Sequence, residues 1–156
     1  MIDLPLASPE ELAAAQLLVD HWLAQQLDEN PAIAAVEPGD PEGSVARWFV
    51  RVRGEEKDVF TIWLTLGQRT LRYETYVMPA PMENEAAFYL HLLRRNHQLS
   101  GVAFEIGAEE AVFLRGQIGV RHLDEAELDR IVGSLYAYTE AFFRPALRLG
   151  FASRFA

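Results

Sequence analysis

Arginine beside an aromatic ring is the pairing in this chain with the clearest chemical use, and it recurs between residues 47 and 76. Arg47, Phe49, Arg51, Arg53, Trp63, Arg72 and Tyr76 fall within thirty residues of a chain whose formal charge is -9. Guanidinium groups bind carboxylates and phosphates, bidentate where the fork fits, and indole and phenol rings add rigid apolar area. Together they point to a binding surface for an anionic or mixed partner.

Other chemistries find less support. The histidines, at 21, 91, 97 and 122, lack an HExxH motif and ligand-spaced carboxylates, and His91 and His97 point to different sides of a helix. Without cysteine, disulfides, thiolate catalysis and thiolate metal sites are impossible. Neither GxGxxG, GxxxxGK nor GxSxG occurs, and no serine has a suggestive base beside it. The acid pairs Glu55–Glu56 and Glu109–Glu110 fall in turn-like stretches where solvated charge is ordinary. The expectation is a protein with no catalysed reaction, no metal and no cofactor.

The bulk numbers agree. The pI near 4.9 disfavours nucleic acid and anionic membranes, since the long-range field repels both, so an anion site must be local. A length of 156 residues, half of them hydrophobic, suits a single domain over 1–156 with flexible ends at about 1–7 and 152–156. No signal-like or membrane-length apolar run is present, which predicts a cytoplasmic protein.

The elements that must position these side chains follow from periodicity. Ser8, Pro9 and Glu11 predict a capped helix start, and apolar residues recur every three to four positions to Leu27, with Asn30 and Pro31 closing the helix. Val36 to Ser44 is rich in Pro and Gly and predicts a loop. The period then becomes two through Ala46–Arg53, Val59–Leu66 and Arg69–Met78. The five-residue GEEKD turn joins the first two strands, and Gly67–Gln68 suits a two-residue type II′ hairpin. Helical spacing returns over 83–98, strands over VAFEI and AVFLRGQI, and a last helix opens at Asp124, with Pro145 expected to kink or end it. The order α-βββ-α-ββ-α predicts an α+β fold with an antiparallel sheet of about five strands.

The two-residue hairpin pairs Leu66 with Arg69 and sets Trp63 opposite Arg72, a candidate cation–π pair. One face then collects Phe60, Ile62, Leu64, Leu71, Tyr73 and Val77. The other collects Thr61, Trp63, Thr65, Thr70, Arg72, Glu74 and Tyr76, joined by Arg47, Phe49, Arg51 and Arg53. An ordinary solvated sheet face would also carry Thr, Arg and Glu; the rings favour an interface. On the second helix, Arg94, Arg95, Asn96 and His97 fall in the final turn, where basic residues suit the helix dipole; the alternative is that Asn96, on the stripe of Phe88, Leu92 and Leu93, is buried and fastens the following loop by side-chain hydrogen bonds. The C-terminal FFRPALRLGFASRFA alternates rings with arginines and is expected to pack its aromatics on the sheet, the alternative being an amphipathic tail that bridges to a second copy or to a partner.

With RWFVRVRGEEKDVFTIWLTLGQRTLRYETYVMPAP, LLRRN and SLYAYTEAFFRPALRLGFASRF in this order, the chain resembles the YbjN-type family of bacterial domains over about residues 8–155, in an actinobacterial subgroup. The family is described as sensory-transduction regulators and is similar in fold to type III secretion chaperones. The resemblance implies a homodimeric, non-enzymatic adaptor or chaperone-like regulator that binds other proteins. Secretion chaperones hold clients on apolar patches, whereas the candidate face here is rich in arginine. A sensor for a small anion, such as a nucleotide or sugar phosphate held by the same arginines, is the alternative.

Overall fold

The computed structural model describes residues 3–39 and 45–155. Helix α1 (Pro9–Glu29) starts as its sequence requires: Ser8 Oγ accepts the Glu11 N–H, Glu11 returns a bond to the Ser8 N–H, and Pro9 fills the first helical position. Strands β1 (Ile33–Pro38), β2 (Ala46–Arg53), β3 (Val59–Leu66) and β4 (Thr70–Met78) follow. After them come α2 (Glu85–Asn96), β5 (Ala103–Ile106), β6 (Val112–Gly119) and α3 (Glu125–Gly150). The strands form one antiparallel sheet in the order β1-β2-β3-β4-β6-β5.

The α+β class holds, with six strands where the sequence predicts about five. The additional strand, β1, takes Val36–Pro38 out of the predicted loop; residues 40–44 of that loop lie outside the described residues. A bulge between Ile33 and Ala35 breaks its alternation, and two small alanines weaken it further, so no period of two is visible.

Burial alternates along β2, β3 and β4. Trp48, Val50, Val52, Phe60, Ile62, Leu64, Leu66, Leu71, Tyr73 and Val77 are buried and form one core with Val19, Trp22 and Leu23 of α1, Phe88 and Leu92 of α2, and Leu128, Ile131 and Leu135 of α3. The helices therefore lie against one side of the sheet. Polar contacts add to this packing: Trp48 Nε1–H donates to Asp20 of α1 at 2.7 Å, and the Tyr73 hydroxyl donates at 2.8 Å to the carbonyl of Gly101 in the loop after α2. The only buried polar side chains among the described residues are Thr75 and Thr139; Thr75 donates to the Thr61 carbonyl across the β3–β4 pair.

Several local expectations are corrected. Leu66 pairs with Leu71, not Arg69, and the turn closes through the Gly67 N–H and the Thr70 carbonyl at 2.9 Å. Gly67 lacks the positive φ that a type II′ turn needs at its first central position. Leu93 is 67% exposed, outside the buried stripe of α2. Pro145 does not end α3, which continues to Gly150: the proline and Ala141, whose carbonyl lacks the N–H it would have received, both face solvent, where an unpaired carbonyl costs little.

Asn96 behaves as its position predicts, though what it holds is a strand. Its Oδ1 accepts the Phe104 N–H at 2.6 Å and its Nδ2 donates to the Phe104 carbonyl at 3.3 Å. One side chain thus satisfies both main-chain groups of a residue in the short edge strand β5 and closes that edge to further pairing.

The β2–β3 turn is fastened to α3. Glu140 accepts the main-chain N–H groups of Glu55 and Glu56, Arg144 pairs with Glu56, and Lys57 donates to the Tyr76 and Val77 carbonyls at 2.7 and 2.8 Å. The Lys57 ammonium also lies over the rings of Tyr76 and Phe143, 5.1 and 5.5 Å from their centroids. Burial lowers its pKa to about 8.

Three predictions follow from this packing. Asn96→Leu leaves both Phe104 main-chain groups without partners and lowers stability by about 2 kcal/mol, read from the urea midpoint; an unchanged midpoint contradicts the clamp. Gly116→Ala drives a Cβ into the Gly101 carbonyl and the Tyr73 ring and destabilises, whereas Gly133→Ala, with nothing within 4 Å and a helical backbone, stabilises by about 0.5 to 1 kcal/mol. Thermal melts of the two variants should move in opposite directions. For Lys57, the folded chain releases the proton near pH 8 and the unfolded chain near 10.5, so the unfolded state binds more protons between them. The burial cost is complete below pH 8 and fades above it. Wild-type stability should therefore rise relative to Lys57→Met from pH 7 to 9.5, and a flat difference would contradict the buried amine.

Candidate functional site

The side of the sheet away from the helices carries all seven residues singled out above. In β2, Arg47, Phe49, Arg51 and Arg53 alternate with the buried Trp48, Val50 and Val52; in β3 and β4, Trp63, Arg72 and Tyr76 alternate with Ile62, Leu64, Leu71, Tyr73 and Val77. Arg47, Arg51, Arg53 and Arg72 are exposed, and Phe49, Trp63 and Tyr76 are half-buried. The partition survives the mispredicted hairpin because the true register differs by two residues, and an even shift returns every side chain to its own face.

The neighbours on that face do change. Trp63 sits opposite Glu74, and Arg72 opposite Thr65, so the expected Trp63–Arg72 stack is absent. Phe49 lies directly across from Trp63 and Arg47 across from Thr65. Two residues that the periodicity argument left out complete the cluster. Phe113 of β6 packs edge-on against Tyr76 with centroids 5.6 Å apart and tilts toward Trp63 at 6.4 Å. Arg115 lays its guanidinium 4.3 Å from the Phe113 centroid and pairs with Glu74 and, at 3.7 Å, with Glu105. The signal was the alternation of Phe113, Arg115 and Gln117 with Val112, Leu114 and Ile118. A helix and a further strand separate β6 from β4 in the chain, so its place beside β4 was not readable locally.

These residues surround an open hollow of about 540 Å³ lined by Arg47, Thr65, Arg72, Glu74, Arg115 and Gln117, among others. Its charges are unequally used. Arg115 is neutralised by two glutamates and Arg51 reaches Glu37 only at 4.0 Å, while among the described residues Arg47, Arg53 and Arg72 form no ion pair. Arg53 instead donates to the Pro31 carbonyl at 3.2 Å. Burial first, then the nearby Glu109 charge, raises the Tyr76 pKa, so its phenol stays protonated near neutral pH and offers a hydrogen-bond donor at the rim. The arrangement suits recognition of carboxylate or phosphate oxygens by exposed guanidinium groups beside a ring cluster.

Among the described residues no cluster of His, Asp and Glu has the geometry of a metal site, and no helix is long and apolar enough to cross a membrane. The last residues of α3 and the turn after it place the C-terminal rings away from this face: Phe142 and Phe143 are half-buried and Phe151 is buried in the core.

Comparison with known proteins places this geometry in a family. The chain is 34% identical over 113 residues to the uncharacterized protein Rv0487 of Mycobacterium tuberculosis (strain ATCC 25618 / H37Rv), a match covering 72% of this chain and 62% of the relative. The uncharacterized protein Mb0497 of Mycobacterium bovis matches to the same extent, and the uncharacterized protein ML2442 of Mycobacterium leprae is 30% identical over 115 residues, covering 74% and 62%. The chain thus spans about three fifths of the length of these mycobacterial relatives, in keeping with the actinobacterial subgroup. Residues 22–148 match the profile of YbjN, described as "Putative bacterial sensory transduction regulator", and the match takes in every strand, the end of α1, all of α2 and nearly all of α3. The chain belongs to the YbjN family.

Proposed function

We propose that this chain is a non-enzymatic, chaperone-like protein-binding regulator that acts in the cytoplasm as a homodimer and receives a partner protein on its uncovered sheet face. The observation that carries the reading is the segregation of side chains: rings and guanidinium groups share the sheet face that, among the described residues, no helix covers. Trp, Tyr and Arg dominate interface energetics because each combines large contact area with directional polar contacts. Trp63, Phe49 and Tyr76 supply the apolar area, and Arg47, Arg51 and Arg72 meet carboxylates around it. Family membership supports a regulatory role and leaves the partner open.

The second reading, a sensor of a small anion, is favoured by one specific observation. The hollow at Arg47, Arg72, Thr65 and Gln117 is about 540 Å³, within the range of small-molecule sites. A nucleotide or sugar phosphate held there at 100 times its dissociation constant would stabilise the fold by about 2.7 kcal/mol, readable as a thermal shift.

The two readings separate experimentally. In affinity capture from cells of the source species, Trp63→Ala with Arg72→Ala should weaken the captured partner at least ~30-fold, since one lost hot spot is worth about 2 kcal/mol, while the variant still unfolds in one cooperative melt. Capture of the same partner by both forms contradicts the docking face. A phosphorylated metabolite that stabilises the wild type and not the double variant would favour the sensor.

A further inference from the structure

The hollow at the centre of the face does not end there. A second hollow of about 370 Å³, lined by Asp3, Leu4, Gln68, Arg69 and Thr70, shares Arg72 and Gln117 with the first. Together they outline a trough: the first hollow crosses the strands from Glu105 and Arg115 past Arg72 to Arg47, and the second branches from it at Arg72 and Gln117 toward the turn at Gln68 and Arg69. Between Arg115 on β6 and Arg47 on β2 lie β4 and β3, so the first hollow alone crosses three inter-strand spacings, ~15 Å at ~4.8 Å each. That is the length of about four to five residues of extended chain at ~3.3 Å per residue.

Shape and charge together select the occupant. A lone phosphate at Arg72 would leave most of the trough filled with water, whereas an extended chain would follow it. Its end at Arg115 is already neutralised by Glu74 and Glu105, and on the branch Arg69 donates to the Leu4 carbonyl. Uncompensated positive charge among the described residues lies at Arg72 in the middle and at Arg47 at the far end. The trough crosses the strands and leaves their edges untouched, so recognition falls to side chains. The chain's net charge of -9 works against a densely charged polymer such as nucleic acid, but screening over about 8 Å at physiological salt lets local guanidinium groups govern a short segment with a few carboxylates.

We infer that the trough binds an extended acidic segment of a partner protein, about five residues long, with its carboxylates centred on Arg72 and Arg47. This rests on the docking-face reading above and names the chemistry of what docks.

The test is calorimetric titration of the whole chain with acetylated, amidated peptides of two and five glutamates and of five glutamines, at physiological salt. Five glutamates should bind at least ~10-fold tighter than two, and five glutamines should not bind measurably. Arg72→Glu should abolish and Arg72→Gln reduce that binding at unchanged melting temperature, while Arg148→Glu, exposed on the last turn of α3, should leave it intact. Equal affinity for both glutamate lengths, equal loss in the Arg72 and Arg148 variants, or tighter Arg72-dependent binding of pyrophosphate or oligothymidylate would overturn the assignment. If no peptide binds while partner capture still depends on Trp63 and Arg72, the acidic segment is wrong and the docking face stands; if capture is indifferent as well, both fall.

Discussion

One-sided burial governs this molecule. Three helices bury their apolar stripes against the same face of a six-stranded sheet, and a strand alternates its side chains with a period of two. Once Val50, Ile62, Leu64, Leu71 and Tyr73 are committed to the helices, Arg51, Trp63, Thr65 and Arg72 must face away. A slip of one residue in any central strand would drive a guanidinium into the core and expose the apolar set, at a cost of several kcal/mol for even one unpaired buried charge. The arginine-rich face is therefore held in place by the core beneath it.

The same constraint explains which parts of the architecture were legible in the sequence. The α+β class, the capping box at Ser8 and the alternation of the central strands were readable because each is written in local spacing. The face partition was read correctly from an incorrect hairpin, since an error of two residues preserves the faces while changing every cross-strand neighbour; the Trp63–Arg72 pairing was lost for that reason. Strand β1 was hidden by its bulge and small side chains, and Phe113 and Arg115 by the sequence distance between β4 and β6. Asn96 was legible as a polar residue on an apolar stripe, and its partner in β5 was not, because that contact belongs to tertiary structure.

The frame around the face is polar and local. Glu140 and Arg144 hold the β2–β3 turn to α3, Lys57 bridges that turn to β4, and Asn96 closes the β5 edge. Such ties leave the sheet edge at β5 poorly suited to strand addition and direct attention to the face. The region matched to the YbjN family, residues 22–148, contains the whole of the sheet.

The most direct measurement uses the absence of cysteine from the chain. Single cysteines at Arg72 and Arg51 on the open face, with one at Leu64 as the core reference, can be timed against a maleimide reagent. The account predicts that the first two react in the free chain nearly as fast as an unstructured peptide and become protected when partner is bound, while Leu64→Cys stays unreactive until unfolding. Slow labelling at Arg72→Cys and Arg51→Cys in the free monomer, or rates unchanged by bound partner, would contradict it.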